Sequence, residues 1–342
     1  MSEIVVLTPY GIEGGVGDRY PPVQAFTAEL RRLGEDRPVT VHHARSLART
    51  AEFLRGLPEA PELVYCCGSS VMEVAAEVLG PSGAKIVYWG SHIEDGACVV
   101  NPKPASERIW GVELPMPLYH SHRQFRLLRR LFPKLERVHC MFSIESAFVR
   151  GERRARYEEA RAGGASWIPS SSRLAAFPGL GKLGELIDVE VLEHPCADAD
   201  TAAAAASEVT PASPRDASEA RACVISCIDC LHVEGALERV ADVAHARSVP
   251  FVGLNFGAFY ERGPLLSFES DLEGAGRLCA RTAFDVLFGG APPERLARHE
   301  EYLLRVHPSA ASRWGAAWAG LVSSRDHGWL ERSLGPLIAA AS

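Results

Sequence analysis

The side chains best able to do chemistry in this 342-residue chain are its nine cysteines and twelve histidines. Cys227-x-x-Cys230 is the one cysteine spacing with precedent in redox work or metal binding, and His232 follows it. A thiolate at Cys227 or Cys230 would serve as nucleophile or soft-metal ligand, with His232 or His92 as base. Cys66, Cys67, Cys140, Cys227 and Cys230, together with His92 and His232, all fall at or near the carboxyl ends of predicted strands. If those ends share a cleft, the set forms a thiolate-rich pocket for a soft metal, an iron–sulfur cluster or a catalytic thiolate. Taken one at a time, each cysteine reads as a small buried packing residue. His92, Glu94, Asp95 and Cys98 share one loop, but their spacing matches no zinc pattern.

Hydroxyls and glycines mark a second kind of chemistry. In ELVYCCGSSVMEV, Gly68 permits a tight turn and Ser69 or Ser70 is expected to cap the following helix, with Glu73 as capping-box partner. That geometry aims free N–H groups at the mouth of a sheet, where open α/β folds bind ligands. Ser143 is the matching candidate cap further along. The loop after the first strand, PYGIEGGVGDRYPP, fits neither dinucleotide nor P-loop glycine spacing, and it reads as a loop over a cleft followed by a helix from about 23 to 33.

The elements that must position these groups alternate. Short apolar runs at 4–7, 63–66 and 85–88 are each followed by a helical pattern, and the alternation resumes after 143. Parallel neighbours need crossovers, and helices must cover both faces, so this grammar predicts parallel sheets. The stretch 108–143 reads as an extended segment ending at Pro115 and Pro117, then a helix, then a strand over 137–142, and it bridges two α/β lobes. Later strands are expected at 188–192, 222–232, 249–255, 265–268 and 301–307, with a helix over 271–288. The expected fold is therefore α/β, two Rossmann-like lobes with a ligand cleft. The first lobe is 1–112 plus 268–292, the second is 113–267 plus 293–315, and a helical extension fills 316–342. Trp314, Trp318 and Trp329 are expected to pack that extension on the body.

A net charge of −7 and a pI near 6.0 speak against a nucleic-acid partner. No apolar run approaches the roughly 20 residues of a membrane helix. The first residues, MSEIVVLTPYG, lack the pattern of a secretory signal, which leads to an expected cytoplasmic location where the cysteines stay reduced.

Three stretches, GVELPMPLYHSHRQFRLLRRLFPKLERVHCMFS, HVEGALERVADVAHARSVPFVG and ERGPLLSFESDLEGAGRLCARTAFDVLFGGAPPERL, together with the ELVYCCGSS turn, resemble the ABC transporter substrate-binding proteins of the tryptophan-binding type. The resemblance covers nearly all of 1–315 and implies the type I periplasmic-binding fold, closing by hinge motion on a small molecule, often an amino acid or another carboxylate. The positions it carries over are Ser69, Ser70, Ser91, His92, Ser143, Glu145, Cys230, Asn255 and Phe256. Tyr10 or Phe256 would pack the ligand's apolar part. Cys230 stands where the family often has Asp, and Leu272 and Glu273 replace the usual Tyr pair. Two functions follow as expectations. One is a small-molecule-binding protein holding a polar or carboxylate ligand. The other is an enzyme, serving for example a biosynthetic pathway, that reuses the fold around a thiolate-rich, metal or iron–sulfur site.

Overall fold

The computed structural model describes residues 3–8, 20–91, 107–114, 128–129, 131–144, 153–162, 184–185, 187–209, 219–226, 236–253, 264–289, 295–299, 302–306 and 314. The chain divides into two compact units, Met1–Met116 with Ser171–Arg173 and Asp271–Glu301, and Pro117–Ser170 with Leu174–Ser270 and Tyr302–Ser342.

The first unit is built on β1 (Ile4–Thr8), β2 (Val39–His43), β3 (Leu63–Cys67), β4 (Lys85–Ser91), β5 (Ile109–Leu114) and β11 (Leu296–Arg298), in the order β11-β5-β4-β3-β1-β2, every pair parallel. β1 and β3 are buried at all five positions. Central parallel strands are covered on both faces, so their sequences run continuously apolar instead of alternating. β2 is half-buried throughout, as its place at the sheet edge requires.

Helix α1 (Pro21–Arg32) follows β1, α2 (Leu47–Arg55) follows β2, and α3 (Ser69–Leu79) follows β3. Pro21 and Pro22 open α1 from inside its first turn, where a missing N–H costs nothing and a fixed φ is already helical. The last helix of the chain's described part, α7 (Leu272–Phe288), starts on Asp271, whose side chain accepts from the Gly274 N–H at 3.1 Å. It packs on α1, and its buried residues are mostly small, among them Ala275, Gly276, Cys279, Ala280 and Ala283. At Gly276 the approach is closest: a Cβ there would sit 2.4 Å from the Pro22 carbonyl oxygen.

The same contact carries a charge clip. Glu29 of α1, only 6% exposed, takes hydrogen bonds from Arg32 (2.8 and 2.9 Å) and from Arg281 of α7 (2.8 Å). The guanidinium of Arg32 first, and then that of Arg281, hold its carboxyl down at about 2.

The second unit repeats the plan with β6 (Arg137–Ser143), β7 (Glu190–Cys196), β8 (Ala222–Ser226), β9 (Phe251–Gly253), β10 (Leu266–Ser270) and β12 (Tyr302–Val306), in the order β12-β10-β9-β8-β6-β7. All pairs are parallel except β10 with β12. Helices α4 (Arg153–Ala162), α5 (Ala199–Ser207) and α6 (Ala236–Ala246) complete its described elements. The alanine run of α5 is started by a capping box between Asp198 and Thr201. Its Ala202 and Ala206 meet Met141, Val224, Val240 and Phe251 in one buried cluster.

The two parallel sheets are those the alternation predicts. Several local readings change. β2 and α2 fill a stretch for which the sequence pattern suggested no element. β7 runs from 190 to 196, not 188 to 192, and continues through Pro195, tolerated because β7 is an edge strand. The expected boundaries put 293–315 in the second lobe; β11 pairs with β5 in the first sheet, whereas β12 pairs with β10 in the second. Trp314 is buried; Trp318, Trp329 and the whole of the proposed extension, 316–342, lie outside the described residues.

Candidate ligand-binding strand ends

Numbered within each unit, both sheets have the strand order 2-1-3-4-5, followed by one late strand. In that order the chain leaves the first strand toward one side and returns to the other, so crossovers diverge between strands 1 and 3. Doubly wound sheets bind ligands at the carboxyl ends beside this divergence. The points so defined are the ends of β1 and β3 in the first unit and of β6 and β8 in the second.

In the first unit Leu7 pairs with Cys66, and Thr8, fully buried, ends β1. β3 then passes through Gly68, at φ 114° and ψ 153°, directly into α3. Only glycine adopts that conformation readily, and it brings the helix start against the strand end. This corrects the expected cap: Gly68 is the N-cap, it offers no side-chain hydrogen bond, and Ser69 and Ser70 are the first two helical residues. A serine beside a strand end is the better cap by propensity, but the turn geometry moves the helix start one residue earlier. The first-turn amides thus meet the strand ends without a capping side chain, and the helix dipole favours an anion there. Ser70 is half-buried, and Ser91 ends β4 two strands from β1.

Beneath this turn lies a cluster the sequence reading missed. Tyr65 and Cys67 share one face of β3, Trp89 stands opposite Cys67 in register on β4, and Tyr20 lies 6.5 Å from Trp89 between ring centroids. Tyr65 stacks on Phe26 of α1 at 4.0 Å. The Tyr65 hydroxyl and Trp89 indole N–H are buried and make no hydrogen bond of ordinary geometry among the described residues. Both nevertheless lie close enough to the Cys67 sulfur to favour its ionised form. Burial outweighs them and pushes the thiol up to about 12. Cys66, on the opposite face of β3, and Cys279 of α7 are fully buried too, and burial drives both thiols well above the ordinary range. Thiols in this state stay protonated near neutrality, which suits packing and not nucleophilic or thiolate-ligand work. Only the strand register, in which VYCC runs opposite IVYW, brings Cys67 beside Trp89, and the sequence pattern by itself carries no sign of it.

In the second unit Ser143 ends β6, and the Ile144 N–H bonds the Cys196 carbonyl at 3.0 Å. Cys140 sits at the fourth of the seven positions of β6, buried. Among the described residues no three His, Cys, Asp or Glu side chains group to hold a metal ion. Tyr10, His92, Glu145, Cys227, Cys230, His232, Asn255 and Phe256 lie outside the described residues, as does the helix start that Ser143 was expected to cap. A shallow acidic groove, lined by Glu136, Glu185, Asp188 and Glu190, lies at the opposite, amino end of β6 and β7. Arg137 and Arg221 partly neutralise it through ion pairs with Glu190 (2.9 Å) and Glu136 (3.2 Å).

No family model matches the chain. No curated protein matches it either. Solved structures do. The ABC domain in complex with L-Trp from Streptococcus pneumoniae superposes with a TM-score of 0.60 at 13% identity, covering 96% of this chain and 98% of that one. An ABC transporter solute-binding protein from Agrobacterium vitis bound with α-D-tagatopyranose gives 0.58 at 10% identity, over 92% and 100%. A probable maltose operon repressor from Staphylococcus aureus gives 0.58 at 8% identity, over 90% and 97%. The chain therefore has the type I periplasmic-binding fold shared by ABC transporter solute-binding proteins and by repressors of this kind. No helix among the described residues is long and apolar enough to cross a membrane.

Proposed function

We propose that this protein is a small-molecule receptor that closes on a polar or carboxylate ligand at the carboxyl ends of its strands. The observation that carries the reading is the turn at Gly68, where a helix start without a capping side chain meets the end of β3 beside the β1–β3 divergence. First-turn amides there would receive an anionic or hydrogen-bond-accepting group, and the half-buried Ser70 would add a hydroxyl. The solved structures of this fold with L-Trp and with a sugar bound support small-molecule binding in general and do not choose the ligand. The high thiol pKa values of Cys66 and Cys67 speak against a catalytic thiolate on β3. The cytoplasmic location and the absence of a nucleic-acid partner belong to the same proposal; the acidic net charge supports the second.

The test is thermal unfolding of the full chain against separate additions of L-amino acids, small carboxylates and hexoses. A specific ligand at 100 times its Kd stabilises by about 2.7 kcal/mol, a shift in Tm well above scatter. One chemical class should raise Tm in a saturable way, and Gly68→Ala should weaken that response. A flat response to all three classes would overturn the reading.

A further inference from the structure

The second unit carries a side-chain pair that ligand binding at the strand ends does not use. His139 on β6 and His194 on β7 hold Nδ1 and Nε2 3.0 Å apart, with their ring planes 17° from parallel. Parallel register explains the meeting: His194 is opposite Met141, two residues beyond His139, so both rings project from one face of adjacent strands. That face also holds Met141, against which Ala202 and Ala206 of α5 pack. Charged groups act on the pair from three elements: Arg137 on β6, Glu190 on β7 and Glu208 at the end of α5, the last affecting both rings. From β8 the registered neighbour is Val224, which adds no charge.

We propose that His139 and His194 form a two-imidazole site for a divalent transition-metal ion of the zinc and copper type, with solvent completing the coordination shell. Two nitrogens that ligate one ion at about 2.0–2.1 Å, at angles between square and tetrahedral, stand roughly 2.9–3.3 Å apart, and the observed 3.0 Å falls inside that range. Imidazole is a ligand for both metals only when neutral. The 3.0 Å contact is itself an N–H···N hydrogen bond, in which one of the two ring nitrogens accepts and so carries no proton. The proton now shared between Nδ1 and Nε2 moves through solvent to a ring nitrogen facing away, leaving a lone pair on each ligating atom and no net proton released. His194 is only partly buried and lies on the edge strand, which gives an ion access. Glu208 supplies negative charge without being counted as a ligand. With two protein ligands the ion is exchangeable and removable by a chelator.

The test uses the chelator-stripped full chain and Zn(II) alone, followed by calorimetry, with Cu(II) electron paramagnetic resonance as a second readout. One ion per chain should bind, His139→Asn and His194→Gln should each lose about tenfold or more in affinity, and the copper spectrum should show two equatorial nitrogens. Circular dichroism checks that each variant folds. If either does not, the wild-type copper spectrum decides alone. No binding, binding unchanged in both folded variants, or a copper spectrum without two nitrogens would overturn the site.

Discussion

Both units use the same 2-1-3-4-5 strand order, yet they stabilise it differently. The first presses α1 on α7 and clips them with a buried carboxylate between two arginines. The second builds its described core from alanines of α5 and side chains of β6, β8, β9 and α6, and it places a hydrogen-bonded histidine pair between β6 and β7. Topology thus fixes where strand ends and helix starts converge, while local packing is free to differ. A substitution in one unit should accordingly be read out in that unit first.

The largest such effect is expected from Phe251→Ala. Phe251 is fully buried in the second unit's core, and removing its ring should cost about 3–5 kcal/mol. Hydrogen exchange should rise in β6, β8 and β9 while β1 and β3 keep their protection. Next comes Gly276→Ala. The new Cβ would meet the Pro22 backbone, which cannot rotate away, so α1 must lift from α7 at a cost of about 2–3 kcal/mol. Exchange should then rise in β1 and α1 and leave β8 and β9 unchanged. Equal loss in both units, for either substitution, would break the comparison.

Gly68→Ala should cost about 1–2 kcal/mol. Nothing stands within 4 Å of the added methyl, so the whole effect is the backbone conformation that alanine resists. Chemical denaturation measures it directly. The smallest effect is acid sensitivity of the Glu29 clip. Its carboxyl is held at about 2, against an ordinary 4.5, by Arg32 and Arg281. The stabilisation is therefore complete above pH 4.5 and is lost as pH falls from there toward 2. Both guanidiniums are more than half exposed, and solvent screening reduces the contribution to a few tenths to about 1 kcal/mol. Glu29→Gln should flatten that part of the stability profile between pH 4.5 and 2.

Much of this architecture was legible because parallel strands announce themselves. IVVLT and LVYCC are continuous apolar runs, and burial at every position matches them. Asp271 before LEGAGRLCARTAFDVLF marked the start of α7 correctly. The edge strand β2, VTVHH, escaped because a half-exposed strand carries polar residues and loses the pattern that reveals central ones. The helix cap at β3 was misplaced because propensity favours serine, whereas the φ of 114° at Gly68 decided the geometry. The Tyr65, Cys67 and Trp89 cluster and the His139–His194 pair depend on register between strands far apart in sequence. Neither spacing nor periodicity records that register.

The most direct test of small-molecule binding is the mass of the freshly purified full chain under native conditions compared with its denatured mass. The account predicts excess native mass matching one small polar or carboxylate molecule, lost on dialysis and restored by adding that compound. Equal masses, with no compound that restores an excess, would contradict it.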